Sequence, residues 1–436
     1  MKVKKFGGTS VGSAERIKNV GRLISGCTKD IVVLSAMSGT TNSLLEISAA
    51  IKKGDKKNAK ILIDCLRDKY AGVIDELYLS DKFRNEASGV IDKIFSDLYS
   101  LSEQGHESNL EKEIVAKGEM MSTNLMNIHL HECGINSALL PALDFMKIDR
   151  HGEPDEEFIK ENAEKAIADN KDADLYITQG FICRNEDGGI DNLQRGGSDY
   201  TASLLGAVLG AEEIEIWTDI DGMHNNDPRF VEDTRPVHNL HFEEAAELAY
   251  FGAKILHPTC ILPAREHNVP VRLLNTMDPA AEGTLIENML ERNSIKAVAA
   301  KDNITAIKIK SGRMLLAYGF LKKVFEIFEK YETSIDMITT SEVGVSLTID
   351  NEKNLPQIEE ELKHLGTVTI DRDMVIICVV GDLEWTNKGF EAAALEALRN
   401  VPVRMISYGG SNYNISFLIR KEDKIKALRL LSYHLF

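Results

Sequence analysis

Val3-Lys4-Lys5-Phe6-Gly7-Gly8-Thr9-Ser10-Val11 is the stretch on which the fold of this chain turns. Val3 to Phe6 has strand length and stops at two glycines; a helix is expected from about Ser13 to Ser25 and a second strand from Asp30 to Ser35. Strand, helix and strand in that rhythm predict parallel pairing and an α/β fold. Glycines at such a turn let backbone N–H groups approach phosphate oxygens, and the helix that follows adds partial positive charge at its N-terminus. Lys5 precedes the glycines, whereas in a Walker loop the lysine follows them, and the spacing is not G-x-G-x-x-G, so neither P-loop nor dinucleotide chemistry is supported. Taken alone, the stretch could still be a plain strand-to-helix turn.

Working outward, residues Lys52 to Lys117 are long, charged and almost free of Gly and Pro, which predicts a helical excursion from the sheet. Strand signals return at Asp174 to Thr178, Glu213 to Thr218 and Val269 to Leu274. The polar segment Asn275 to Ser294, with Pro279 and Gly283, closes a first domain spanning residues 1–294. Beyond it lies an internal near-repeat: Met337-Ile338-Thr339-Thr340-Ser341 with Val345 to Ile349 resembles Met405-Ile406-Ser407-Tyr408-Gly409 with Ile415 to Ile419. Each copy reads as a β-α-β-β-α-β module, but the second, which begins near Met374, ends on a helix from Asp423 with no strand after it. The apolar segment at 295–301 could supply the missing strand, so that a first module at about 304–372 is inserted between it and residues 373–436.

Composition narrows the function classes. At 436 residues the chain exceeds one core, and roughly 150 residues per domain predicts two or three. With 43% hydrophobic and 27% charged residues it reads as a soluble globular protein. The longest apolar run, Met374 to Val380, is far short of the roughly 20 residues that cross a bilayer, so no membrane partner is expected. A secretory leader is not expected either, because Gly7 and Gly8 stand where its apolar core would begin. The cysteines are scattered without a C-x-x-C pair and read as reduced cytoplasmic thiols. A formal charge of −17 would repel a polyphosphate backbone, which argues against nucleic acid; an anionic nucleotide would need a locally positive pocket.

Further constellations supply such a pocket. Gln194-Arg195-Gly196-Gly197-Ser198-Asp199-Tyr200 is a second glycine pair feeding a helix, expected at Thr201 to Leu209. Arg195 is suited to a bidentate grip on a carboxylate, and Asp199 beside a phosphate site could hold Mg2+ or orient a lysine. Thr218-Asp219-Ile220-Asp221-Gly222 follows the Ile214-to-Trp217 strand at the end where α/β ligands bind. Lys117-Gly118-Glu119 and Phe251-Gly252-Ala253-Lys254, as isolated pairs of charge and glycine, read as surface. His129-x-His131 lies in an expected helix, where i and i+2 do not share a face, so no metal site is assigned.

Lys5 to Val11, Val33-Leu34-Ser35-Ala36, Gly118-Glu119, Gln179-Gly180-Phe181, Arg195 to Tyr200, Trp217-Thr218-Asp219 and Phe251 to Pro258 stand in the order and spacing of the aspartate kinases, which the chain resembles along its whole length. The resemblance implies the amino-acid kinase fold, a mainly parallel sheet sandwiched by helices, followed by two ferredoxin-like ACT modules in a regulatory region at 295–436. It implies the monofunctional form, since no stretch resembles a homoserine dehydrogenase. The implied activity is ATP-dependent phosphorylation of the L-aspartate side chain, with Mg2+ accompanying ATP. Lys5 and Asp199 would be catalytic. Ser35, Thr41, Glu119, Arg195, Gly196 and Ser198 would bind substrate, Arg195 through a carboxylate and Glu119 through the ammonium. Lys5, Gly7, Gly8, Thr218, Asp219, His224, Arg229 and Lys254 would bind the nucleotide, with His224 standing where relatives often have tyrosine.

ACT modules imply feedback by an amino acid and a homodimer or homotetramer. Met314, Phe320, Leu321, Ile335, Asp336, Thr340, Ser341 and Glu342 match effector positions of lysine-sensitive relatives, although Phe320, Leu321 and Ile335 could equally be core. Two rivals stand beside this reading: a kinase of another small acid, such as glutamate 5-kinase or carbamate kinase, and a non-catalytic amino-acid sensor. The first would lack two ACT modules; the second would not need Lys5, Glu119, Arg195 and Asp199 together.

Overall fold

The computed structural model describes residues 1–104, 109–193, 196–252, 256–312 and 318–436. They form two compact units, Met1–Met223 with Ile255–Asn288, and His224–Lys254 with Met289–Phe436.

The first unit begins with β1 (Val3–Phe6), α1 (Ala14–Ile24), β2 (Ile31–Leu34) and α2 (Thr40–Lys52). The helical excursion follows as α3 (Lys56–Leu77), α4 (Asp81–Gln104) and α5 (Leu110–Glu132). The sheet resumes with β3 (Ser137–Leu140), α6 (Glu156–Asp169), β4 (Leu175–Gln179), the β5 (Ile182–Arg184) and β6 (Ile190–Asn192) hairpin, α7 (Gly197–Val208) and β7 (Ile214–Thr218). After β8 (Asn239–His241) and α8 (Phe242–Tyr250), which belong to the second unit, α9 (Leu262–Glu266), β9 (Val271–Asn275) and β10 (Thr284–Glu287) complete the first.

Local chemistry explains these elements. Ser13 caps α1 by accepting the Arg16 N–H, and Ile17, Val20 and Ile24 recur on one buried face. In α3, Ile63, Leu66, Tyr70, Ile74 and Leu77 repeat at the same helical spacing and are buried in the core that also takes Phe6 and Val32. β2 is buried at every residue, as a strand covered on both faces must be. The sheet runs β3-β4-β2-β1-β7-β9-β10, parallel except for β10 against β9. Phe6 therefore lies opposite Leu34 and Trp217, so the turns after β1, β2 and β7 open at one edge of the sheet.

One expectation needs correction. The helix foreseen from Thr201 starts at Gly197, because Gly196 at φ 76° serves as its cap; Ser198 and Asp199 lie in its first turn rather than in a preceding loop.

In the second unit, β11 (Ile295–Lys310), α10 (Phe320–Lys330), β12 (Ile338–Ser341), β13 (Gly344–Ile349), α11 (Leu355–Lys363), β14 (Thr367–Gly381), α12 (Phe390–Ala397), β15 (Val403–Tyr408), β16 (Asn414–Arg420) and α13 (Lys424–Leu435) follow in turn. An antiparallel sheet of order β12-β13-β11-β14-β16-β15 results. β11 and β14 are each double-length. Residues Thr305 to Lys310 pair with β13, whereas Ile295 to Lys301 pair with the far half of β14, between Ile376 and Gly381. Asn303 and Asp373, both in the left-handed region, mark the joints, and the register shifts there. Each half-sheet carries its own core. Ile307, Ile309, Val324, Phe328, Leu347 and Ile358 form one, and Val298, Val375, Val379, Phe417, Leu428 and Leu431 the other. The result is two ferredoxin-like βαββαβ modules sharing two long strands. No helix among the described residues is long and apolar enough to cross a membrane.

Candidate active site

β1 delivers Lys5 to the sheet edge. Its side chain is buried, and Nζ lies 2.6 Å from Oδ1 of Asp199 in the first turn of α7. A buried ammonium left without a partner would pay heavily in lost hydration, and the carboxylate offsets this. Trp217 stacks on Phe6 with ring centroids 5.6 Å apart, and its Nε1–H donates to Glu215 Oε2 at 3.0 Å, which locks the end of β7 against β1. A side chain on Gly8 would bring its Cβ within 2.8 Å of the Ala36 carbonyl oxygen, so the turn tolerates only glycine there. Gly7 faces the Lys5 ammonium: a Cβ on it would stand 3.4 Å from Nζ.

The turn after β2 meets α5 and α7. Ser35 Oγ donates to Ser198 Oγ at 2.9 Å, and the Ser35 carbonyl accepts the Ser122 hydroxyl at 2.8 Å. The Ala36 N–H donates to Oε1 of Glu119 at 3.2 Å. Glu119 is 4% exposed, and its Oε2 has no partner among the described residues. Burial pushes this carboxyl up to about 7, only partly offset by the Ala36 N–H. Lys117 and Glu119 are thus buried, not surface residues. Thr41, half-buried, is the second residue of α2.

The structure therefore brings together Lys5, Gly7, Gly8, Ser35, Glu119, Ser198 and Asp199. Thr218 ends β7 with its hydroxyl accepting the Ile220 N–H at 3.2 Å, and Asp219 is exposed beyond it. His224 and Arg229 belong to the second unit. His224 Nδ1 lies 2.9 Å from Thr234 Oγ1, and Arg229 forks onto Asp227 at 2.9 and 2.6 Å. Arg195, Lys254 and Met314 lie outside the described residues.

Among the expected effector positions, Phe320 is a buried member of the first module's core, and Leu321 and Ile335 pack against it. Thr340, Ser341 and Glu342 are exposed. The Asp336 side chain is only 1% exposed and is held within its own unit by Lys301 and Tyr250. Sequence reasoning missed Cys260, a buried thiol against which Gly196 packs; burial first, then the Asp199 charge, push it well above the ordinary thiol range, while Lys5 opposes them. It also missed Ser122, whose only signal was its place one helical turn after Glu119.

Residues 1–275 match the amino acid kinase family, and residues 377–435 match an ACT domain. The chain is 33% identical to lysine-sensitive aspartokinase 3 of Escherichia coli (strain K12), over all of this chain and 99% of the relative. The chain belongs to the aspartokinases of the amino acid kinase family. Aspartokinase 3, chloroplastic, of Arabidopsis thaliana is also 33% identical over 98% of this chain and 80% of its own length. Two solved structures extend this aspartokinase likeness to three dimensions, both covering the full length of each chain. E. coli aspartokinase III in complex with aspartate and ADP (R-state) matches with a TM-score of 0.85 at 32% identity. The same enzyme in complex with lysine and aspartate (T-state) matches with a TM-score of 0.82 at 33% identity.

Proposed function

We propose that this aspartokinase transfers the γ-phosphoryl group of ATP to the side-chain carboxylate of L-aspartate, giving 4-phospho-L-aspartate and ADP, under feedback control by lysine through its ACT modules. The observation that carries the reading is the pairing of a buried lysine with Asp199 beside a glycine turn, with the Glu119 carboxylate held through one oxygen by the Ala36 N–H and its other oxygen without a partner among the described residues. A substrate carboxylate with pKa near 4 is already ionised at neutral pH, so no general base is required. The barrier lies in bringing one anion against another, and positive charge with positioning must lower it.

Lys5 supplies that charge, held in line by Asp199. The Gly7 and Gly8 turn brings the backbone close to the phosphates. Glu119 accepts the substrate ammonium on Oε2, Arg195 grips a substrate carboxylate, and Ser35, Thr41, Gly196 and Ser198 shape the pocket. Thr218, Asp219, His224, Arg229 and Lys254 attend the nucleotide. Among the described residues no group of three or more His, Cys, Asp and Glu could hold a metal. Mg2+ would arrive with ATP, and Asp199 is the carboxylate beside the glycine turn that could help to hold it. When bound it neutralises phosphate charge. The pairing of β11 with both halves of β14 supports a module at 304–372 inserted into one built from 295–301 and 373–436. We assign residues 1–294 to catalysis and 295–436 to regulation, although residues 224–254 and 289–294 group with the second compact unit. A cytoplasmic homodimer or homotetramer is the expected form.

ADP release with a panel of amino acids tests the activity. Release that depends on aspartate and falls on adding lysine is expected; no aspartate-dependent ADP sinks the proposal. Lys5→Ala should cost several orders of magnitude in turnover with an unchanged circular dichroism spectrum.

A further inference from the structure

Asp336, expected to receive an effector's cationic group, already has a cation on it. Lys301 Nζ from β11 lies 2.6 Å from Asp336 Oδ1, and the Tyr250 hydroxyl donates to the same oxygen at 2.8 Å. Oδ2 is buried without a partner among the described residues. Lys301 also sits over the Tyr250 ring, 4.3 Å from its centroid, and reaches Asp350 Oδ2 at 2.9 Å. The ammonium thus bridges a buried carboxylate and a second, 41% exposed, on which it would keep an ionic partner after releasing the first.

A free cation seeking Asp336 must compete with a tethered one, because Lys301 already neutralises this buried carboxylate and a second ammonium would leave positive charge uncompensated there. We propose that Lys301 is the built-in occupant of the effector's cation site, and that an incoming cationic amino acid takes Asp336 while Lys301 withdraws onto Asp350, which it already touches. Arrival would also disturb Tyr250. That residue ends α8 two positions before Gly252, where a Cβ would stand 2.2 Å from the carbonyl oxygen of Ala300, the neighbour of Lys301. Gly252 is therefore seated on β11 beside the exchanging cation, so a change at Asp336 is felt at the end of α8. A ligand can shift this equilibrium only through its differential affinity for the two arrangements, and Lys301 sets part of that difference.

The inference rests on the assignment of Asp336 to the effector site, and calorimetric titration of the full chain with L-lysine separates the two. Asp336→Asn should abolish L-lysine binding; wild-type affinity in that variant removes the effector-site assignment itself. With Asp336→Asn inactive in binding, Lys301→Met should lower the dissociation constant about tenfold, because the internal competitor is gone. Asp350→Asn should raise it several-fold, because Lys301 loses its alternative seat. Opposite directions are the signature. An unchanged or weakened affinity in Lys301→Met overturns the proposal, and so does an unchanged or tightened affinity in Asp350→Asn. Should Lys301→Met fail to fold, the exposed Asp350 position still decides it.

Discussion

Glu119 carries two opposed consequences of one burial. Its carboxyl is pushed up to about 7, and only the ionised form attracts a substrate ammonium. The KM for L-aspartate should therefore rise as pH falls below 7, approaching tenfold per pH unit, and steady-state kinetics between pH 5.5 and 8.5 would display it. Glu119→Gln should give a high KM with a flat profile; a wild-type profile in that variant would clear Glu119 of the role. Stability follows the same ionisation with a definite sign. The unfolded carboxyl titrates near 4.5 and the folded one near 7, so the folded state binds more protons between those values and loses stability as pH rises through that window. Above pH 7 the ligand-free protein carries the whole penalty, at most roughly 3 kcal/mol. Glu119→Gln should accordingly raise the melting temperature at pH 8 while destroying substrate affinity, and should do less for stability at pH 5.

At the scale of an element, α7 shows what a sequence discloses and what it hides. Val3 to Phe6 was legible to the residue, because a segment of strand length stopped by two glycines has few alternatives. The second glycine pair reads as loop on propensity alone, yet Gly196 caps the helix and Gly197 begins it. What overrides propensity is tertiary: a turn containing Cys260, distant in sequence, fills the space where a Gly196 side chain would be. Alanine at 196 meets a left-handed φ of 76°, costing about 1 kcal/mol, and its Cβ would sit 2.1 Å from Cys260 Sγ. Gly196→Ala should thus tilt the first turn that holds Asp199 against Lys5, lowering kcat by 10-fold to 100-fold with a loss of a few degrees in Tm. Adding Cys260→Ala removes the obstacle and should restore part of kcat. A double variant as slow as the single one would mean that backbone strain, and not the displaced thiol, limits the site.

At the scale of the molecule, the two regulatory modules were legible because Met337 to Ile349 and Met405 to Ile419 repeat a pattern, and a strand count exposed the debt that Ile295 to Ala300 could settle. The Lys301, Tyr250 and Asp336 cluster was not legible, since nothing local marks three residues from separate elements as neighbours. The shared strands make a sharper claim than the repeat did: one continuous β11 serves two cores, with Ile307 and Ile309 in the first and Val298 in the second. Phe328 lies in the first core and is 2% exposed, so Phe328→Ala should cost about 3 kcal/mol by opening a cavity there. If Asn303 and Asp373 truly separate the modules, that loss should stay on one side of them. Hydrogen exchange read by mass spectrometry on the full chain should then show amides of residues 304–310 and 344–349 exchanging at least tenfold faster, with residues 295–301 and 414–420 at wild-type protection. Equal acceleration in both halves of β11 would mean that the long strands fuse the modules into one cooperative unit, and an effector bound to the first would then act on the second directly.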